Sequence, residues 1–347
     1  MKRLSIIIIS IFVFIHGAMA LEITDGRVKI KLYENSGRFG FSYLTNATTN
    51  EYLPMLLEQD PRTTALSVLV GNKVYIMGDT ASFKQKVSQT EDGAEFVWTS
   101  SVLEVKEEFS FISSPDSVLS DGIKIILTLT NISGDDLTVG LRYLFDTYLG
   151  ENDNLHFKTD TISAISNEIE FDSKMPLYWV SPSSKSGTEG LQVMTSGLGV
   201  TVPDRIVFAN WSRLNDSSWT FSVKTNRNFN NLPYSRNDSA VCHYYNPKEI
   251  KKGSSSEIVI LLGSFNKNGY SIDQENVSEE VSEIFEQVVT ADVTDDKNLS
   301  VKNDLESVKD LIDKIDKMIA SGEEIDGKEL DVMEQILENL QKRKSQY

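Results

Sequence analysis

The stretch GIKIILTLTNISGDDLTVGLRYLF, residues 122–145, decides the fold class of this chain. Ile123, Ile125, Leu127 and Leu129 fall on one side of an extended backbone, and Lys124, Thr128 and Thr130 fall on the other. After Ser133-Gly134-Asp135-Asp136, the positions Val139, Leu141, Tyr143 and Phe145 again share a side. A period of two is the mark of a strand with one buried face, and the polar turn between the runs predicts a β-hairpin.

Similar runs lie on both sides of it. VKIKLYE, ALSVLV, KVYIMG, EFVWTSSVLEV, EEFSFIS, RIVFANW, SWTFSV, SAVCHYY and SEIVILLGS all read as strands, and many are separated by turn residues such as Glu-Asp-Gly or Lys-Lys-Gly. About fifteen short strands over residues 21–270 predict a mainly β fold, a large antiparallel β-sandwich in which two sheets bury their apolar faces against each other.

The period changes after residue 271. Val277, Val281, Ile284 and Val288 predict one short helix. Leu305, Val308, Ile312, Ile315 and Ile319 predict a second, and Leu330, Met333, Leu337 and Leu340 a third, which Asp326 and Glu329 would start as a capping box. The link at Ser321-Gly322 predicts an antiparallel helical hairpin over residues 303–343, and TADVTDDKNLS, 290–300, reads as a polar linker before it. The apolar stripes of the hairpin are to be covered by each other or by the sandwich, or else by a partner helix or self-association.

Residues 1–20 read as a secretory signal. Lys2 and Arg3 precede an apolar run from Leu4 to Ile15, and Ala18-Met19-Ala20 is a cleavage-type sequence. That run is shorter than the roughly 20 residues a bilayer span requires. Cys242 is the only cysteine, so no intramolecular disulfide forms, and its place in an alternating run predicts a buried, inert thiol. N-x-S/T sequences occur at Asn46, Asn131, Asn210, Asn215, Asn237, Asn276 and Asn298. The Lys- and Ile-rich composition and the missing disulfides point to a bacterial envelope, a periplasmic location, where such sequences carry no meaning.

The chain carries a net charge of −17, and residues 271–347 hold 21 acidic against 9 basic side chains, a net of −12. Such a field opposes nucleic acid and anionic membrane, both of which need cationic patches.

Local catalytic signatures are scarce. Beyond the signal only His156 and His243 remain, which excludes a zinc site built on several histidines. There is no H-E-x-x-H, no paired C-x-x-C, no phosphate loop and no G-x-S-x-G elbow. These absences lean against an enzyme, and no catalytic residue or cofactor is assigned. What remains is a set of ligand-surface candidates near strand ends: Asp146, Asp153, Tyr178, Trp179, Asp204, Arg205, Trp211 and Asp238. Carboxylate pairs serve glycoside chemistry, and Trp and Tyr form sugar-stacking platforms, although such rings more often sit in a core. Asp146 of YLFDTYLGENDNLHF, 143–157, falls on the same strand side as Arg142 just before that stretch, and the two read as an internal brace. Asp153 between Asn152 and Asn154 reads as an Asx-type turn, with a calcium ion on Glu151 and Asp153 as the alternative.

Taken together, GLRYLFDTYLGENDNLHF, PLYWVSPS, PDRIVFANWSRLNDSSW and NDSAVCHYYNP resemble an uncharacterised bacterial envelope domain with the pattern G-L-R, D-T, L-G-x-N-D, then Y-W, then P-D-R-x-x-F-A-N-W. The matching positions run from Gly140, Leu141, Arg142, Asp146, Thr147, Leu149, Gly150, Asn152 and Asp153 through Tyr178 and Trp179. They continue with Pro203, Asp204, Arg205, Phe208, Ala209, Asn210 and Trp211. The resemblance implies an envelope β-domain, no particular reaction, and polar turns that meet in space. In size and strand count the chain is also similar to the supersandwich of sugar mutarotases, whose catalysis relies on histidine acids and a glutamate base; no matching motif stands here. The function read from these residues is a secreted, non-enzymatic binding or assembly protein, with the acidic helices as the contact for a protein partner. The alternative is a carbohydrate-binding or carbohydrate-active sandwich.

Overall fold

The computed structural model describes residues 20–151, 154–183, 189–271, 278–290, 297–321 and 327–344. Residues 1–19 of the signal sequence, Asp153, Val277, and residues 322–326, with Asp326 of the expected capping box, lie outside them.

The β region forms three antiparallel sheets. A four-stranded meander comprises β1 (Ala20–Asp25), β2 (Val28–Tyr33), β3 (Arg38–Asn46) and β4 (Glu51–Pro54), in that order. A six-stranded sheet holds β5 (Ala65–Val70), β6 (Lys73–Ile76), β11 (Leu137–Asp146), β13 (Ile169–Phe171), β16 (Arg205–Asn210) and β17 (Ser239–Ile250). Its spatial order is β13-β16-β17-β11-β5-β6. The eight-stranded sheet holds β7 (Lys84–Gln89), β8 (Gly93–Thr99), β9 (Leu103–Ile112), β10 (Gly122–Asn131), β12 (Lys158–Thr159), β14 (Tyr178–Pro182), β15 (Gly190–Met194) and β18 (Ser255–Ser264). These lie in the order β12-β14-β15-β18-β10-β9-β8-β7.

One continuous core joins the sheets. Ile123, Ile125, Leu127 and Leu129 of β10 enter it from one side and Val139, Leu141, Tyr143 and Phe145 of β11 from another, with Ile30 and Phe41 closing it from the meander. The faces expected from alternation are therefore the faces observed. The hairpin is not. β10 pairs with β9 and β18, whereas β11 pairs with β5 and β17, so residues 132–136 form an arch between sheets. Asn131 locks that arch: its buried amide donates to the carbonyls of Asp135 and Ile250, and its Oδ1 accepts from the Ser133 N–H. Alternation is the same whether two strands share a sheet or face each other across a core. SWTFSV also departs from expectation: residues 218–223 form no strand, and Phe221 instead packs over the outer face of the six-stranded sheet.

The helices are α1 (Trp211–Asp216), α2 (Glu279–Thr290), α3 (Lys297–Ser321) and α4 (Gly327–Lys344). Residues 297–300 of the expected linker belong to α3. In place of a bare hairpin, α2 joins α3 and α4 in one apolar cluster, which also takes in Leu198 from the β region. Val281, Ile284 and Val288 are buried, as their spacing implies. The stripe read on α3 is rotated from the one that packs: Asp304, Ser307, Leu311 and Met318 face inward, Val308 and Ile315 are half-buried, and Leu305, Ile312 and Ile319 are exposed. On α4, Met333 and Leu340 are buried with Val332 and Ile336, whereas Leu330 and Leu337 are exposed. This rotation buries Asp304, whose carboxylate pairs with Arg343 of α4.

Candidate functional site

Strand register gathers the polar turns. Asp146 ends β11 opposite Ala240, and Asn210 ends β16 opposite Ser239, so both strand ends meet the start of β17 at one rim of the six-stranded sheet. Asn210 organises this rim. Its buried amide nitrogen lies 2.9 Å from the Phe229 and Asp238 carbonyls and from the Ser235 hydroxyl. Its Oδ1 accepts from the Arg213 N–H and so caps α1. Trp211 follows, its backbone N–H donating to the Asp238 carbonyl and its indole N–H to the Thr63 carbonyl at 2.9 Å. The turn after β11 is pinned by Gly150 at φ 72°, where a Cβ would lie 2.2 Å from the Leu155 carbonyl oxygen. Asn154, also at positive φ, suits the left-handed conformation that asparagine tolerates. That turn reaches the eight-stranded sheet through Ser181, whose hydroxyl donates to the Leu149 carbonyl.

Three carboxyls converge on this rim. Glu151 accepts from the Ser239 N–H at 2.8 Å, and the Ser239 hydroxyl lies 2.9 Å from Nδ1 of His156. Burial raises the Glu151 carboxyl to about 8, and the neighbouring charges of Asp146 and Asp238 add to the rise. Asp146 is pushed up to about 7, chiefly by burial, with Asp238 and Asp60 adding repulsion. Burial also raises Asp238. Like charges and low dielectric act together, so all three carboxyls keep their protons to higher pH than exposed ones. His156 is driven down to about 4 and His243 to about 3, in each case by burial, so both are neutral imidazoles.

Arg142 and Asp146 form no brace. The Arg142 guanidinium points across the sheet's outer face to the carbonyls of Leu214, Ser217 and Ser218, with Nε 3.1 Å from Cys242 Sγ. The two residues share a face, but the last turn of α1 offers the cation a full set of acceptors. Cys242 is buried and free.

Of the ligand-surface candidates, the rim unites Asp146, Trp211 and Asp238. Asp204 and Arg205 lie beside Tyr244, six residues farther along β17, roughly 20 Å away at strand spacing. There Asp204 accepts from the Asn246 N–H, and Arg205 pairs with Glu170. Trp179 is fully buried, its indole N–H donating to Nε2 of His243 at 2.9 Å, so it offers no stacking face. Tyr178 is half-buried against Phe265. Asp153 lies outside the described residues, and no group of three or more His, Cys, Asp or Glu side chains suited to a metal occurs among those described.

Other parts of the rim escaped the sequence reading. Asp60 acts on Asp146, and the tip Asn231–Ser235 carries Leu232, 62% exposed, and Tyr234, 83% exposed. The motif Asn-Asn-Leu-Pro-Tyr-Ser was the available signal, an apolar pair inside turn residues. Arg227 donates to Asn231 Oδ1 at 3.0 Å, which joins the tip to an open depression of about 570 Å³ lined by Asn167, Lys224, Asn226, Arg227 and Asn228.

No family model and no curated protein matches this chain. Solved structures do show likeness. A protein described as a putative aldose 1-epimerase from Escherichia coli K12 is 9% identical, covering 72% of this chain and 99% of its own, at a TM-score of 0.44. A galactose mutarotase related enzyme from Lactobacillus acidophilus is 10% identical, covering 74% of this chain and 100% of its own, at 0.41. The α-N-acetylgalactosaminidase NagBb from Bifidobacterium bifidum is 8% identical over 76% of this chain and 37% of its own, also at 0.41. At this level of likeness no chemistry is transferred, and the sandwich stands on its own sheet topology.

Proposed function

We propose that this chain is an exported carbohydrate-binding protein whose ligand sits on the acidic rim. The observation that carries the reading is the placement of half-buried Glu151 and Asp238, with buried Asp146 behind them, beside the exposed Leu232–Tyr234 tip. A sugar presents hydroxyls on its edge and C–H groups on its face. Ionised carboxyls accept from the hydroxyls, protonated ones donate to ring or hydroxyl oxygens, and an open tyrosine ring covers the apolar face. The neighbouring asparagines supply paired donors and acceptors for a longer glycan.

Binding is favoured over mutarotase-like turnover by the histidines. Both are buried, and His243 accepts from Trp179 inside the core, so neither reaches a ligand on the rim as an acid. Export rests on the basic, apolar and small-residue order of residues 1–20.

A glycan array followed by titration calorimetry tests the reading. Wild-type protein is expected to bind a subset of glycans, and Tyr234→Ala and Glu151→Gln are each expected to weaken the best ligand about tenfold. No glycan binding, or affinities unchanged in both variants, overturns it.

A further inference from the structure

Among the described residues, the tail helices leave an apolar groove open. Arg343 near the end of α4 pairs with Asp304 near the start of α3 at 2.8 Å, so these helices run antiparallel. Arg343 also donates to the Val288 carbonyl at 2.8 Å, which brings the end of α2 to the same level. On α3 the inward line centres on Leu311, and on α4 it centres on Ile336. Leu305, Ile312 and Ile319 lie about 100° around from the first line, and Leu330 and Leu337 lie about 100° around from the second, in the same rotational sense. Because the helices are antiparallel, equal turns bring both rows to the same side of the pair. The five side chains are between 41 and 70% exposed.

We infer that this groove is the interface for a second copy of the chain, paired across a two-fold axis near Ile312. Two observations support a second copy over an unrelated helix. Leu305, Ile312 and Ile319 repeat at seven, with half-buried Val308 and Ile315 between them, which is the 3-4 seam of a helix built to pack lengthwise on another. Beyond that seam runs a second row at seven, the exposed residues Lys302, Lys309 and Asp316. Its signs read plus, plus, minus. An antiparallel copy centred near Ile312 sets Lys309 against Asp316 of the other copy, and Asp316 against its Lys309. The row is complementary to itself only when reversed, as a two-fold interface requires. This inference is independent of the sugar reading, since the rim and the groove share no residue.

Sedimentation equilibrium of the full chain at tens of micromolar tests it. The expected result is a dimer. Ile312→Asp should raise the dissociation constant about a hundredfold, because the change strikes both copies at the axis. Lys309→Asp should weaken it about tenfold, and Lys309→Asp combined with Asp316→Lys should restore it. Should Ile312→Asp fail to fold, the charge exchange alone decides. A wild-type monomer at these concentrations overturns the proposal, as does a dimer indifferent to Lys309→Asp, or a monomer whose groove another protein fills.

Discussion

The sandwich and the helical tail both carry a strong hydrophobic period, but only in the sandwich does the period fix which face is buried. In β10 and β11 each apolar position named from alternation lies in the core. In α3 the named positions Leu305, Ile312 and Ile319 lie outside, while Leu311 and Met318, left unnamed, lie within. A strand has only two faces, so a period of two leaves a single choice, and the charged side makes it. A helix can be rotated through any angle. α3 carries apolar residues over more than a third of its circumference, and the part that is covered packs on α2 and holds the Asp304–Arg343 pair.

That contrast can be broken by substitution. The largest effect is expected at Trp179→Ala, which empties a fully buried site and removes the donor to His243. A loss of about 3–5 kcal/mol in urea unfolding is expected, and a loss under 1 kcal/mol would remove Trp179 from the core. Next comes the tail. Leu311→Ala should cost about 2–4 kcal/mol of the tail's stability by hydrogen exchange, while Leu305→Ala should stay within about 0.5 kcal/mol in the monomeric chain. Equal losses at the two positions would mean that the stripe read from the sequence is the packed one after all.

The smallest effect concerns charge. Asp146 and Glu107 are raised to about 7 and Glu151 to about 8, in each case chiefly by burial. The folded state therefore holds more protons than the unfolded chain from the ordinary carboxyl range up to these values. Stability is fully present below that range and is lost as pH rises through it. His156 and His243, lowered by burial, oppose this below their ordinary value of 6.5. The clean window is thus from about pH 6.5 to 8, where the midpoint of urea unfolding should fall with rising pH and Asp146→Asn should flatten the slope. A flat wild-type profile there would mean that these acids are solvated.

The same logic explains what could be seen of the site. The motif turns near 150, 178, 203 and 237 are expected to meet, yet only the segments 146–151 and 237–239 do, with Asn210 beside them; Asp204 lies far along β17 and Trp179 is buried in the core. Which carboxyls meet depends on register: Asp146 opposite Ala240 brings it to Asp238, whereas Asp204 opposite the far part of β17 does not join them. Register is a property of two strands together, and no local pattern encodes it. Arg142 likewise left Asp146 for the carbonyls of α1, a helix only six residues long and too short to read from periodicity.

Whether the acidic rim holds a sugar is decided by a crystal structure of the chain with its best array glycan. The ligand is expected against Tyr234, with hydroxyls within hydrogen-bond distance of Glu151 and Asp238. A glycan bound on any other surface, with this rim unoccupied, would show that the rim is not a sugar site.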